Sequence, residues 1–130
     1  MGRINKDIGF TLVELLIAIA IIAVLAAIAT MQLQKFRIQA YDIVAKSDLR
    51  NAINGLEAYF AEYNTFPATP AGLLASGFNL SKDVSFTKYK VETMNNGNPT
   101  AHMHLTHASS PNAWHANYPK EGSEIEIRKK

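Results

Sequence analysis

A single carboxylate, Glu14, lies at the start of the longest uncharged segment of the chain. No side chain from Leu15 to Gln34 is charged, and residues 15–29 contain only Leu, Ile, Val and Ala. A carboxylate placed among apolar groups costs at least about 2–3 kcal/mol, so it needs a specific partner. We therefore expect Glu14 to take part in a defined charge interaction. The alternative is a carboxylate that only reaches the headgroups of a membrane.

Four histidines in the C-terminal third are the other side chains with coordinating chemistry. His102 and His104 are two residues apart, which places both imidazoles on one face of a strand, and His107 and His115 follow. A complete metal site needs further ligands held in place, and this stretch of sequence does not supply them. We interpret the four as solvent-exposed strand residues and predict neither a metal site nor a cofactor. Contact with a metal or a haem is the alternative.

The segment Gly9–Leu16 reads GFTLVELL and follows a short leader that contains Arg3 and Lys6. This order of glycine, aromatic residue, acid and apolar helix resembles the prepilin signature of type IV pilins and of the related pseudopilins of type II secretion. The resemblance extends in detail to about residue 66. The stretch SDLRN at 47–51 and the sequence Thr65-Phe66-Pro67 resemble the major pilins of metal-reducing bacteria.

The resemblance implies that a prepilin peptidase cuts between Gly9 and Phe10 and that the new Phe10 amine is methylated. An ordinary signal peptidase would cut behind the apolar segment, where Ala27-Ile28-Ala29 is a weak alternative site. Glu14 would then lie four residues from a cationic amine, on the same face of a helix. In a bundle of copies, Glu14 can pair with the Phe10 amine of a neighbour. Such a pair fixes the register, because a slipped neighbour leaves two buried charges unpaired.

A long helix has to position these groups. No proline occurs between Phe10 and Tyr63, and the sequence predicts one helix from about Thr11 to Tyr63. Type IV pilins usually carry a helix-breaking Gly and Pro in the apolar half, where this chain has Ala23 and Met31. The helix is apolar on all sides over residues 10–36, long enough to cross a membrane or to form a filament core. We expect a cytoplasmic leader at 1–9 that is removed, this helix half at 10–36 and a globular domain at 37–130.

The second half of the helix has one apolar stripe, and its members Ile53, Leu56, Phe60 and Tyr63 are predicted to cover a sheet. The stripe consists of Phe36, Ala40, Ile43, Leu49, Ile53, Leu56, Phe60 and Tyr63, and Asp48 is assigned with Lys46 and Arg50 to the other faces. Beyond it we predict a short helix with Thr69 as N-cap and Gly77 at its C-terminal end. We also predict strands at 84–94, with a bulge between Phe86 and Tyr89, at 101–108 and at 123–128, and a hairpin at Asn96-Gly97. The predicted fold class is α+β, with the helix packed on a small antiparallel sheet of three or four strands.

Composition and charge limit the function classes. The chain of 130 residues has no cysteine, and its formal net charge is +2. Loss of the leader removes two bases, Arg3 and Lys6, and one acid, Asp7, which leaves about +1. Near-neutrality argues against a dedicated nucleic-acid binder. The sequence shows no hydrolytic triad, phosphate loop or paired carboxylates, so we predict that the chain is not an enzyme.

The expected function is that of a major subunit of a type IV pilus, which serves adhesion, twitching motility or extracellular electron transfer. Its expected partners are further copies of itself, the prepilin peptidase, and the assembly platform with its ATPase. It would wait in the bacterial inner membrane with its C-terminus outward and then join the extracellular pilus. Aromatic residues that would pack the core or the subunit interface, or carry charge along a filament, are Phe36, Tyr41, Tyr59, Phe60, Tyr63 and Phe66. The alternatives are a pseudopilin of type II secretion, which usually binds calcium near its C-terminus, and a DNA-capturing competence pilin.

Overall fold

The computed structural model describes residues 9–119 and 126–129 and confirms an α+β fold. Helix α1 spans Leu12–Tyr63, and the shorter helix α2 spans Pro70–Ala75. Four strands follow: β1 at Val84–Thr93, β2 at Pro99–His107, β3 at Ala113–Tyr118 and β4 at Glu126–Lys129. Contacts divide the chain into two compact units, Met1–Phe36 and Arg37–Lys130, which we describe separately.

Helix α1 is continuous, as the sequence predicts. Neither Ala23 nor Met31 interrupts it, because Ala is the strongest helix former and Met is close behind. Its end at Tyr63 is followed by Asn64 in the left-handed region, with φ at 53°, and by Pro67 three residues later. Such a residue and a nearby proline commonly terminate helices.

The sheet is antiparallel, with its strands in the order β1-β2-β3-β4. Asn96-Gly97 forms the turn between β1 and β2, and Gly97 has a φ of +84°, which glycine adopts at little cost. The predicted bulge is confirmed by a register shift between Phe86 and Lys88. Strand β3 is a finding that the sequence analysis did not anticipate. Of the predicted last strand, residues 123–125 lie outside the described residues.

One hydrophobic core joins α1, α2 and the sheet within the second unit. Its fully buried large side chains are Leu49, Ile53, Leu56, Leu73, Met103 and Leu105. The predicted stripe is therefore right at Leu49, Ile53 and Leu56. Of the four residues predicted to cover the sheet, Tyr63 is the exception, because it remains 54% exposed. Phe36 and Ile43, at the start of the stripe, are 64% and 67% exposed.

Two carboxylates are buried on α1, which corrects the assignment of Asp48 to a solvent-facing side. Asp48 accepts hydrogen bonds from the backbone N–H and the hydroxyl of Ser81, at 2.7 and 2.9 Å. Asp42 accepts from the Ser110 hydroxyl at 2.5 Å and from the Asn112 amide at 2.6 Å. Buried polar groups are tolerated when they are hydrogen-bonded, and these bonds fasten two loops to the helix.

Helix α2 has the predicted caps. The hydroxyl of Thr69 accepts from the Gly72 N–H, Pro70 occupies the first turn, and Gly77 adopts a φ of +98° just beyond the end. Gly55 of α1 allows the segment around α2 to approach closely. A Cβ atom at this position would lie 3.1 Å from Leu73 Cδ1 and 3.3 Å from Phe78 Cβ. The neighbours of Gly55 thus belong to α2 and to the loop that follows it.

Candidate functional site

Thr11 and Glu14 form a reciprocal pair at the start of α1. The Thr11 backbone N–H and hydroxyl both donate to Glu14 Oε2, at 2.9 and 2.7 Å, and the Glu14 N–H donates back to the Thr11 hydroxyl at 3.2 Å. This is the capping-box arrangement, in which a threonine N-cap and a glutamate three residues later satisfy each other's orphan groups. Thr11 is the residue that the sequence analysis missed, and the Thr-x-x-Glu spacing was the available signal.

One carboxylate oxygen of Glu14, Oε1, can accept a hydrogen bond from a further donor. Both hydrogen bonds from Thr11 end on Oε2, so Oε1 takes no part in the capping box. Phe10 directly precedes the box and is 89% exposed. Here Phe10 is joined to Gly9 by a peptide bond, so the amine that would pair with Glu14 does not exist in this form of the chain. The pairing of Phe10 with Glu14 therefore stays a prediction.

The apolar half of α1 is exposed throughout. Every residue from Gly9 to Phe36 is solvent-exposed within the described chain. The large apolar side chains among them are Leu12, Val13, Leu15, Leu16, Ile17, Ile19, Ile21, Ile22, Val24, Leu25, Ile28, Met31 and Leu33. By length and composition α1 is suited to crossing a membrane. Apolar surface of this extent on a monomer marks a site for a membrane or for other protein chains.

The six aromatic residues singled out in the sequence fall into separate groups. Tyr59 and Tyr63 contact each other on α1, with ring centroids 4.4 Å apart. Phe60 contacts Phe66 at 5.6 Å, and Phe66 contacts Tyr118 of β3 at 6.3 Å. Tyr41 stacks on His107 at 4.4 Å, whereas Phe36 lies in the exposed unit. Within one subunit the described rings therefore do not form a single continuous stack.

The histidines do not share one environment. His107 is buried, stacks on Tyr41 and accepts a hydrogen bond from the Ser109 N–H at 3.0 Å, so its prediction as solvent-exposed is wrong. His102, His104 and His115 are partly buried on the other face of the sheet. Among residues 9–119 and 126–129, no group of three or more His, Cys, Asp or Glu is placed to hold a metal ion.

Two tyrosines of the second unit are kept protonated by their surroundings. Burial raises the pKa of Tyr89 to about 12, and its hydroxyl donates to the Pro67 carbonyl at 2.7 Å. The hydroxyl of Tyr118 donates to the Glu57 carboxylate, and this bond raises the pKa of Tyr118 to about 12. Both side chains tie the strands to the end of α1 or to the segment after it.

Comparison with known proteins identifies the first segment of the chain. Residues 4–30 match the prokaryotic N-terminal methylation motif. This stretch contains Gly9, Phe10, the Thr11–Glu14 capping box and most of the exposed apolar surface.

Three relatives are similar over about half of the chain. The type IV wide pilus major component PilA4 of Thermus thermophilus is 42% identical over 69 residues, which are 53% of this chain and 53% of PilA4. The type IV major pilin PilA of Myxococcus xanthus is 38% identical over 67 residues, or 51% of this chain and 30% of PilA. The type II secretion core protein G of Pseudomonas aeruginosa is 34% identical over 71 residues, or 55% of this chain and 50% of that protein. The matched stretches thus span at most about half the length of these relatives.

Proposed function

Over about half of its length the chain is homologous to type IV pilins, and from this premise we propose that it is the structural subunit of a type IV pilus. The observation that carries the proposal is the match of residues 4–30 to the methylation motif, together with the exposed apolar surface of the first half of α1. Homologues that are pilus subunits do their work by assembly, and we propose that this chain likewise is not an enzyme.

We propose that the subunit is first inserted in the inner membrane, before it joins a pilus. Arg3 and Lys6 precede the apolar segment, and basic residues favour the cytoplasmic side, so the C-terminus would face outward. A prepilin peptidase would remove residues 1–9 and leave Phe10 with a methylated amine. The second unit, which has its own core, would then remain outside the membrane as the globular domain.

Assembly would bury the exposed half of α1 against other copies. Apolar surface leaves lipid for protein in this step, so close packing rather than a simple hydrophobic gain supplies the stabilisation. Glu14 Oε1 would accept a hydrogen bond from the Phe10 amine of a neighbour, while Oε2 keeps its hydrogen bonds to Thr11. A contact between two different surfaces of the same subunit repeats without closing and gives a helical filament. The assembly platform and its ATPase would drive this addition.

Electron microscopy and mass spectrometry of the filaments test the proposal together. Cells that lack the gene should have no pili, and complemented cells should regain them. The subunit sheared from these pili should have lost nine residues and gained one methyl group. Unchanged pili in the deletion strain, or a mature chain that keeps Met1 or begins near Thr30, would contradict the proposal.

A pseudopilin of type II secretion is the second candidate, favoured by the similarity to core protein G. We favour the pilin over the pseudopilin, because pseudopilins usually bind calcium near the C-terminus. The segment from Ser109 to Lys120 contains no Asp or Glu that could bind a calcium ion. The nearby Asp42 is engaged by Ser110 and Asn112. Calcium should therefore leave the melting temperature of the chain unchanged. A rise of several degrees would support the pseudopilin, because a ligand that binds only the folded state stabilises it.

A further inference from the structure

A cavity of about 320 Å³ opens in the second unit, between the last turns of α1, the start of β2 and the end of β3. Its volume is at the lower end of the range for small-molecule sites, roughly 300–1,000 Å³. Most of the lining side chains carry no hydrogen-bonding group, namely those of Phe60, Ala61, Phe66, Pro99 and Pro119. The remaining lining residues are Glu57, Asn98 and Tyr118. The cavity therefore suits a small ligand with a mostly apolar surface.

Three aromatic rings line the cavity at angles to one another. The buried Phe66 contacts the other two, and its ring centroid lies 5.6 Å from that of Phe60 and 6.3 Å from that of Tyr118. The interplanar angles are 61° and 37°, so these rings do not cover each other's faces as stacked rings would. Phe60 and Tyr118 are only half-buried. Because the face of an aromatic ring is electronegative, such walls attract a cation that comes within about 6 Å of a ring centroid.

Glu57 contributes a negative charge to the same cavity. It is the one acidic or basic residue among the described residues that line the cavity. The Tyr118 hydroxyl donates to Glu57 Oε1, which holds the carboxylate beside the aromatic rings and leaves Oε2 outside this bond. No salt bridge joins Glu57 to a basic side chain within residues 9–119 and 126–129. A carboxylate without a counterion, placed beside apolar walls, favours a positively charged ligand.

We propose that this cavity binds a quaternary methylammonium group, the cationic group of choline. Such a group has no N–H donor and presents methyl groups to its surroundings, so aromatic and apolar walls replace its water at small cost. A primary ammonium has three donors and is strongly hydrated, and most of the lining side chains offer it no acceptor. All lining residues belong to the second unit of one subunit, so the proposal does not depend on the assembly of a pilus.

Calorimetric titration of the full chain in maltoside micelles tests the proposal, with empty micelles as the blank. The probes are choline, ethanolamine and dimethylbutanol, the uncharged analogue in which carbon replaces the nitrogen of choline. Ethanolamine keeps the charge without the methyl groups, and dimethylbutanol keeps the methyl groups without the charge. Choline should bind at least about tenfold more tightly than either, because only choline satisfies both the rings and the carboxylate. Equal affinities for choline and for either analogue would overturn the proposal.

Two conservative variants locate the binding site. Glu57→Gln removes the charge and should weaken choline binding about fivefold. Phe60→Leu keeps an apolar side chain but removes the ring, and it should also weaken choline binding about fivefold while leaving the affinity for dimethylbutanol unchanged. The control Glu62→Gln removes an exposed carboxylate of α1 that does not line this cavity, and it should bind choline like the parent. Unchanged choline binding in Glu57→Gln, or an equal loss in Glu62→Gln, would overturn the proposal.

Phosphocholine, as a fourth probe, identifies the source of the ligand. Affinity equal to that of choline supports a headgroup that is displayed on a surface, with its phosphate outside the cavity. Affinity at least about tenfold weaker supports a soluble amine, because the Glu57 carboxylate then repels the phosphate. Failure of both choline and phosphocholine to bind the parent chain would overturn the proposal.

Discussion

The two halves of α1 differ in where they find their packing partners. Residues 12–36 are almost wholly apolar and entirely exposed, whereas residues 37–63 are mixed in character and bury one face against the core. The more apolar half is thus the less buried one. Apolar composition alone does not predict whether a surface is buried within its own chain. The distribution of apolar residues around the helix does, because a single stripe can be buried by one packing partner, whereas a helix that is apolar on all sides needs several packing partners.

Polar groups distinguish the halves as well. In the second half, Asp42 and Asp48 are buried and bind loops of the same subunit. In the first half, Glu14 satisfies only the helix start through Thr11. We infer that the carboxylates of the second half specify the fold of the subunit, and that the carboxylate of the first half specifies how subunits meet.

The largest expected effect concerns Glu14. Glu14→Ala should leave membrane insertion intact and reduce the number of pili at least about a hundredfold, since breaking one side of a buried charge pair costs about 3–5 kcal/mol. Pili are counted by electron microscopy in a strain that carries only the variant. The control is Glu62→Ala, which removes an exposed carboxylate from the other half of α1. Equal pilus counts for Glu14→Ala and the parent would show that the pairing is dispensable.

The next effect is a difference between the two halves of α1 in how much a Leu→Ala substitution lowers the free energy of unfolding. Leu56→Ala should lower the free energy of unfolding of the second unit by about 2–5 kcal/mol, because Leu56 is fully buried in the core. Leu25→Ala makes the same chemical change at a position that is 61% exposed, and it should leave that free energy unchanged. Denaturant melts of the full chain in micelles, followed by the fluorescence of Trp114, compare the two. Similar losses in both variants would contradict the division of α1.

A smaller effect is expected at Asp48. Asp48→Ala should destabilise the second unit by about 1–3 kcal/mol, because the Ser81 N–H and hydroxyl lose their acceptor in a partly buried place. Arg50→Ala, two residues away on the exposed side of α1, should cost less than about 0.5 kcal/mol. If the two variants unfold at the same denaturant concentration, the bonds from Asp48 to the loop do not stabilise the fold.

The smallest effect is a dependence of stability on alkaline pH, which arises from the second unit, where the second half of α1 packs. The pKa values of Tyr89 and Tyr118 are raised to about 12, from an ordinary 10, so the folded state holds these protons more tightly. Their contribution to stability is therefore complete below pH 10 and is lost as the pH rises toward 12. In a spectroscopic titration, Glu57→Gln should move the Tyr118 component to lower pH and leave that of Tyr89 in place. A curve identical to that of the parent would contradict the role of the Glu57 carboxylate.

Local patterns predicted the elements that depend on neighbouring residues. The length of α1, the Thr69 cap, the Asn96-Gly97 turn and the bulge after Phe86 each follow from propensity or spacing within a few residues. The two-residue spacing of His102 and His104 likewise predicted that both lie on one face of a strand, and this is the face of β2 opposite the buried Met103 and Leu105.

The features that escaped prediction depend on residues far apart in the sequence. Asp48 is buried because Ser81, 33 positions away, supplies its hydrogen bonds, and Asp42 is buried because of Ser110, 68 positions away. Strand β3 reads AWHANY, which does not alternate between apolar and polar residues in the way that marks a half-buried strand. The contact between His104 and His115 likewise becomes apparent only when the register of β2 and β3 is known.

A cryo-electron-microscopy map of the pilus tests most directly the claim that the first half of α1 finds its partners in other copies. The claim predicts that residues 15–29 are packed among neighbouring subunits, with Glu14 beside the Phe10 amine of one of them. It also predicts helical backbone from Ala23 to Met31, since neither residue breaks a helix. Residues 15–29 at the filament surface, or Glu14 directed to solvent, would contradict the claim. Extended backbone between Ala23 and Met31 would show that packing in the filament overrides local propensity.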